Sequence, residues 1–453
     1  MPLARDVKQA LITEALKSGA RFLPLVSEER LMGFVDEKLS GIPYPEGRAF
    51  LANMAVQWKR RLPTMSKNFR NKTISNFFVN ALIMGNEKRK AFAEKHGFKP
   101  PFFFVVSPSM ACNLRCYGCY AGEYAKEGLS YDLLRRLFTE AKAMGIHFIV
   151  LSGGEPFMRK DLPDLCEEFN DMMFQVYTNG TLIDSEMAKK LSKLGNVVPC
   201  ISVEGFEKET DARRGEGTYA RIMSAMDNLK QEGVVFGFSA TATRANNDFV
   251  VSDEFIDFYV DKGCFLGWFF NYMPIGRAPN LELMPTPEQR NARREKLNSI
   301  RDSKPILLSD FWNDGPLTGG CIAGGRSYFH INSNGDVEPC VFTHFALDNI
   351  KDKSLTEVLD SRMFWAIRKR QPYSDNLLRP CMIIDNPSVL RDIVAESGAH
   401  PTHPGAESLI TVLAPALDKY AADYAKIVDS VWADKYVACN RAPDRSPPPA
   451  CAK

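Results

Sequence analysis

Between residues 100 and 310, short apolar runs alternate with amphipathic stretches six times, and no other feature restricts the fold of this 453-residue chain so sharply. The strand-like runs cover 102–107, 147–152, 174–178, 197–203, 234–241 and 264–272. Helical periodicity fills the gaps near 130–144, 162–172, 184–194, 219–232 and 252–261, with a further helix after Pro287. Such alternation predicts an α/β fold in which a parallel sheet is joined by crossover helices. Six units stop short of the eight that close a full barrel. Ahead of them the chain is helical in period, which divides it into a helical N-terminal region, 1–98, and an alternating body, 99–312.

The loop after the first strand carries three cysteines within eight residues, Cys112, Cys116 and Cys119 in CNLRCYGC. A cuboidal four-iron cluster normally takes four thiolates, and structural zinc also closes its shell with four ligands. Three cysteines therefore make an unfinished site by either standard, and His96 and His147 stand at no zinc-finger spacing. Structural zinc or free thiols remain the plainer alternative. The spacing C-x3-C-x2-C, followed after the second strand by Ser152-Gly153-Gly154-Glu155-Pro156, resembles the radical S-adenosylmethionine (radical SAM) superfamily.

That resemblance implies a partial (β/α)6 TIM-type barrel. It implies a [4Fe-4S] cluster on Cys112, Cys116 and Cys119 with one open iron, chelated by the methionine amino and carboxylate groups of SAM. It also implies reductive cleavage of SAM to methionine and a 5′-deoxyadenosyl radical, which takes hydrogen from a substrate, with a reductant such as ferredoxin or flavodoxin as partner.

The motifs fall at the C-terminal ends of strands, where barrel enzymes carry their catalytic loops. Gly153 and Gly154 lack side chains, so the backbone there can approach the SAM methionine group. Glu155 and Pro156 complete the turn; for Glu155 the alternative is a buried carboxylate at a helix start. Asn179 ends the third strand, and by resemblance Ser202 and Glu204, ending the fourth, contact the SAM ribose or methionine. Many members carry an aromatic residue directly before the third cysteine, where this chain has Gly118, so Tyr117 or Tyr120 is the candidate for stacking on adenine, with ordinary packing as the alternative. Arg213, Thr241 and Arg244 are weaker candidates, and no catalytic side chain is assigned beyond the cluster and SAM site.

A second cysteine group follows the alternating body. Asn334-Gly335 signals a tight turn between two short strands and brings Cys321 toward Cys340. The arrangement resembles the SPASM auxiliary-cluster domain, continued by Asp348-Asn349-Ile350 and a helix near 355–370. It departs from that pattern after Cys381, which stands alone until Cys439. A truncated, twitch-like domain at 313–400 is expected, with one auxiliary Fe-S cluster on Cys321, Cys340 and Cys381. Asp385, His344, His400 and His403 are candidates for the fourth ligand, and three buried structural thiols are the competing account. A pair of helices is expected over 401–438 and a disordered Pro-rich tail over 439–453.

Eleven cysteines, clustered and odd in number, with no secretory signal in the charged N-terminal stretch, point to a reducing, cytoplasmic setting. No run of about twenty uncharged apolar residues suggests a membrane span. Residues 58–86 join a basic stretch to an apolar helical face, which suits either peripheral membrane contact or a helix packed on the barrel. The substrate is thus open among peptide, lipid and small molecule. Nucleic acid is not expected, because the one basic run lacks a reading motif. The alternative to a radical SAM enzyme is a noncatalytic iron-sulfur electron carrier or cluster scaffold, which has no need of glycines and polar side chains gathered around a ligand on successive strand ends.

Overall fold

The computed structural model describes residues 9–18, 25–39, 45–121, 128–301 and 303–437; the tail with Cys439 and Cys451 lies outside them. The six expected strands are present as β1 (Phe103–Val106), β2 (Phe148–Leu151), β3 (Met173–Thr178), β4 (Val197–Val203), β5 (Gly237–Ala242) and β6 (Leu266–Asn271). A seventh, β7 (Leu307–Asp310), follows the helix Pro287–Arg301, its run too short to stand out in the sequence. All seven run parallel and pair in chain order. On the other edge β8 (His330–Ile331) lies parallel to β1, and β9 (Val337–Glu338) turns back antiparallel to it, with Gly335 in the turn. The cysteine hairpin thus prolongs the main sheet. β7 and β9 end the sheet order unjoined, so the barrel is partial and open.

The crossover helices start where the sequence supplies caps. Ser130, Asp184 and Ser252 each accept a hydrogen bond from a backbone N–H of the first turn. The helix expected over 162–172 stops at Glu168, because Asn196 donates to the carbonyls of Cys166, Phe169 and Met172 and satisfies the turn that replaces the last helical bonds. Alternation along the strands then divides the sheet. Phe104, Val106, Ile149 and Leu151 pack into the core beneath the helices, while Phe103, Phe148, Trp268 and Phe270 face the lumen.

The N-terminal region is helical, as expected, through Gly85–His96. Its segment Thr73–Met84 winds as a wide π-type helix whose apolar side is packed under the sheet: Phe77 meets Phe102 and Phe148, and Trp58 meets Phe265 at 4.9 Å. Its polar groups serve the same junction. Arg61 donates to the Cys264 carbonyl, Lys72 to Asn170, and Asn76 to Met172. Residues 58–86 therefore close the N-terminal end of the barrel. Part of their apolar face, with Trp58 and Phe77, is packed against the barrel, while Leu82 and Ile83 are exposed. Among the described residues no helix is long and apolar enough to cross a membrane.

The helix expected near 355–370 is two short ones, Leu355–Leu359 and Arg362–Arg368, because Ser361 caps a new start. The expected C-terminal pair is a 3-10 turn, Ala406–Ile410, followed by one long helix, Ala414–Val431, which opens with a proline in its first turn and continues as a π-type segment, Trp432–Val437. It lays Tyr424 over Arg290 at 3.9 Å. Arg290 is fully buried and grips Asp385 through two bonds of 2.5 and 3.1 Å. Replacing Arg290 with Leu leaves that carboxylate buried and unpaired, and is expected to lower the unfolding free energy by about 3–5 kcal/mol. The double replacement Arg290→Leu, Asp385→Leu should recover much of it in chemical denaturation; an equal loss in both variants contradicts the ion-pair account.

Candidate functional site

The cysteine loop lies across the C-terminal ends of the strands and is tied to four of the βα units. Gly154 and Glu155 after β2 donate backbone N–H to the carbonyls of Ser109 and Ala111, at 3.0 and 2.8 Å. Asn179 after β3 donates its amide to Asn113 at 2.8 Å. After β4, the Arg213 carbonyl accepts from the Tyr117 N–H while its guanidinium donates to the carbonyls of Tyr117 and Gly118, and after β6 the Arg277 N–H donates to the Cys119 carbonyl. Cys112, Cys116 and Cys119 are carried in this way to the mouth of a cavity of about 500 Å³ that fills the barrel lumen.

Close packing explains the two glycines. A methyl group on Gly154 would stand 2.2 Å from the Ala111 carbonyl oxygen, and one on Gly153, whose φ is +109°, would stand 2.5 Å from that of Ser109. The loop and the turn after β2 touch backbone to backbone. Gly154→Ala is expected to displace the cysteines and reduce SAM cleavage about 10²-fold, the scale on which a 1 Å misplacement acts. Gly33→Ala, where an added methyl meets nothing within 4 Å, should leave 5′-deoxyadenosine formation unchanged; equal activity in both variants contradicts this role.

The expected residues do not all face the cavity. Gly153, Gly154, Asn179 and Ser202 line it. Glu155 takes the buried alternative: its carboxylate accepts bonds from Phe157 N, the Thr178 hydroxyl and Asn179 N, capping the short helix that Pro156 opens. Burial pushes its carboxyl above the ordinary range against those bonds. Glu204 is also buried. Its Oε1 holds Arg213 at 2.6 Å and Arg214 at 2.5 Å, while Oε2 is without a partner. Tyr117 points away, more than half exposed, with its hydroxyl accepting from Asn280 at 3.3 Å. Tyr120 lines the cavity, its phenol bonded to Ser152 at 2.7 Å and pushed by burial to about 12. Arg244 pairs with Glu282 away from the lumen, whereas Thr241 faces it.

Arg214, which the sequence did not single out, stands 3.9 Å from the Cys116 sulfur. Burial raises the thiol of Cys116 and the charge of Arg214 opposes it; Cys112 is raised chiefly by burial. Among the described residues no three Cys, His, Asp or Glu side chains are gathered to hold a single metal ion. The charges of Cys116 and Cys119 nonetheless act on Cys112, and that of Cys119 on Cys116. Spaced sulfurs beside a guanidinium, over a glycine cradle and an open cavity, suit an anionic multi-iron cluster with room for a further ligand.

A second cavity, of about 380 Å³, is lined by Cys321, Cys340 and Cys381 together. Burial lifts all three thiols to about 12, so unligated they carry their protons and a metal would have to displace them. The Tyr328 phenol lies 2.8 Å from the Cys340 sulfur, and Asp385 accepts from the backbone N–H of Cys381. None of the expected fourth ligands lines this cavity. Asp385 is held by Arg290, His344 pairs with His403 at 2.6 Å, and His400 is exposed. The wall instead presents Thr343, fully buried, with a hydroxyl that has no partner. Trp268, Phe311, Ile322 and Phe342 border both cavities.

Comparison with known proteins agrees with this arrangement. The radical SAM superfamily model matches residues 106–243, and that of the SPASM iron-sulfur cluster-binding domain matches 321–382. An Fe-coproporphyrin III synthase of Methanosarcina barkeri is 37% identical over 337 residues, spanning 65% of this chain and 83% of the relative. The mycofactocin maturase MftC of Mycolicibacterium smegmatis is 29% identical over 262 residues, 55% of this chain and 66% of that one. In fold, the crystal structure of Streptococcus suis SuiB bound to precursor peptide SuiA superposes with a TM-score of 0.54 at 20% identity, covering 66% of this chain and 75% of SuiB. With one cysteine-lined cavity in the lumen of an open parallel barrel, a second bordering it, and a relative matched over most of its length, the chain belongs to the radical SAM superfamily, as a SAM-cleaving enzyme with a SPASM-type auxiliary iron-sulfur cluster.

Proposed function

We infer that Cys112, Cys116 and Cys119 hold the SAM-binding [4Fe-4S] cluster, that Cys321, Cys340 and Cys381 hold the auxiliary one, and that the lumen between them receives a large, flat-faced substrate of the iron-tetrapyrrole class. The cluster that Cys112, Cys116 and Cys119 would hold, given one electron by an external reductant such as ferredoxin or flavodoxin, would cleave bound SAM to methionine and a 5′-deoxyadenosyl radical able to take hydrogen from an unactivated carbon. The chain's own part is positioning and exclusion of water. Arg214, fixed by Glu204, offsets the charge on Cys116. Gly153, Gly154 and Ser202 form the wall beside the cysteines. Glu155 and Asn179 hold the loops around them in register.

The observation that carries the substrate class is the lining of the lumen. Aromatic and apolar side chains make up most of it, from Tyr120 at the cysteine loop down to Trp58 and Phe77 at the closed end, with Gln175, Ser239, Thr241 and Asn271 as polar points between them. A peptide backbone brings one donor and one acceptor per residue, and in such a lining most would be without partners. A macrocycle offers flat faces to the rings instead. The Fe-coproporphyrin III synthase relative supports the same class. A peptide substrate is the second reading, favoured by the maturase relative; it requires that a single side chain enter the lumen.

The test is titration of the reconstituted enzyme with Fe-coproporphyrin III under anaerobic conditions. Trp58 and Trp268 line the lumen, so saturable quenching of tryptophan fluorescence is expected in the micromolar range, about −8 kcal/mol, together with a shifted Soret band. Absence of both contradicts the tetrapyrrole class.

A further inference from the structure

Two donors on residues lining the lumen have no hydrogen-bond partner among the described residues, and they lie six residues apart on the segment leaving β6. Asn271 is 2% exposed, and its Oδ1 accepts from Arg293 at 2.5 Å. Arg293 is itself buried and fixed by Asp310 at 2.8 Å and Asn247 at 2.6 Å. A guanidinium only donates, so the carbonyl end of Asn271 must face Arg293 and the NH2 end must turn the other way. That Nδ2 is buried and unpartnered, on a side chain that lines the lumen.

Arg277 is the second donor. Its backbone is pinned to Cys119, its side chain lines the same lumen, and its Nε is buried without a partner. Among the described residues no acidic side chain forms an ion pair with it, whereas Arg213 and Arg214, the other arginines lining the lumen, both grip Glu204. Both residues line the lumen, six positions apart on the segment leaving β6, and a carboxylate is the group that accepts from an amide and a guanidinium alike.

We propose that Asn271 and Arg277 form a carboxylate-binding site that anchors an acidic side chain of the substrate beside the cysteine loop. The site rests on the tetrapyrrole reading and adds to it the group recognised and the end of the lumen at which it lies. It selects a substrate with a peripheral carboxylate over one in which that group is masked.

The test compares Fe-coproporphyrin III with its tetramethyl ester, in one detergent buffer, on the full-length reconstituted enzyme. The wild type is expected to bind the acid at least tenfold more tightly than the ester. Arg277→Gln and Asn271→Leu should each weaken the acid at least tenfold, leave ester affinity in place, and so erase the preference. Asn271→Leu also strips Arg293 of one acceptor, so Arg277→Gln, which leaves that network intact, is the deciding variant should the other fold poorly. Equal binding of acid and ester by the wild type overturns the site. So does a loss of SAM affinity in Arg277→Gln as large as the loss of porphyrin affinity, which would assign the donors to the carboxylate of SAM. Binding of neither porphyrin removes the tetrapyrrole reading and this site with it.

Discussion

Cys116→Ala is expected to reduce 5′-deoxyadenosine formation to background and to remove the iron of one four-iron cluster. The three sulfurs at the lumen mouth are already one ligand short of a closed site, and losing another leaves two thiolates for four irons. Cys116 is also the thiol beside Arg214, so the substitution leaves a buried guanidinium facing an apolar methyl group. The auxiliary thiols lie in a separate cavity, and their cluster should persist. Iron and sulfide analysis against SAM cleavage checks this: full iron content with cleavage intact contradicts the assignment of the first triad.

Cys381→Ala should behave in the opposite sense. 5′-Deoxyadenosine still forms, because the first triad and its glycine cradle are untouched, but product is lost and iron falls by about one cluster per chain. The effect should stay local, since Asp385, which fixes the Cys381 backbone, keeps its pairing with Arg290. Normal product formation with undiminished iron contradicts the auxiliary assignment.

Much of this architecture was legible before any coordinates. Six strands could be placed because each is an apolar run between amphipathic helical stretches, and Asn334-Gly335 marked the hairpin for the reason that a tight turn needs those residues. β7 could not be found, since four residues carry too little periodicity. The first triad and the two glycines were visible as spacing. What the spacing could not give is direction. Glu155 and Glu204 read as ligand-facing groups, yet the first is engaged by three protein donors and the second by two arginines.

Tyr117 and Tyr120 are indistinguishable in sequence, and only the path of the loop turns one outward and the other into the lumen. The doubled arginine at 213–214 was a usable signal, because two cations at the end of a helix that follows a strand tip call for an anion nearby. Thr343, Asn271 and Arg277 left no such trace. Their importance lies in a partner that is missing, and that is a property of packing.

The account turns on an iron site that its protein ligands leave incomplete. Anaerobic electron paramagnetic resonance of the reduced, reconstituted enzyme, recorded before and after adding SAM, tests this most directly. Two cluster signals are expected, one of which changes on adding SAM while the other does not, with 5′-deoxyadenosine released on turnover. A spectrum that SAM leaves unchanged, with no nucleoside released, would contradict it.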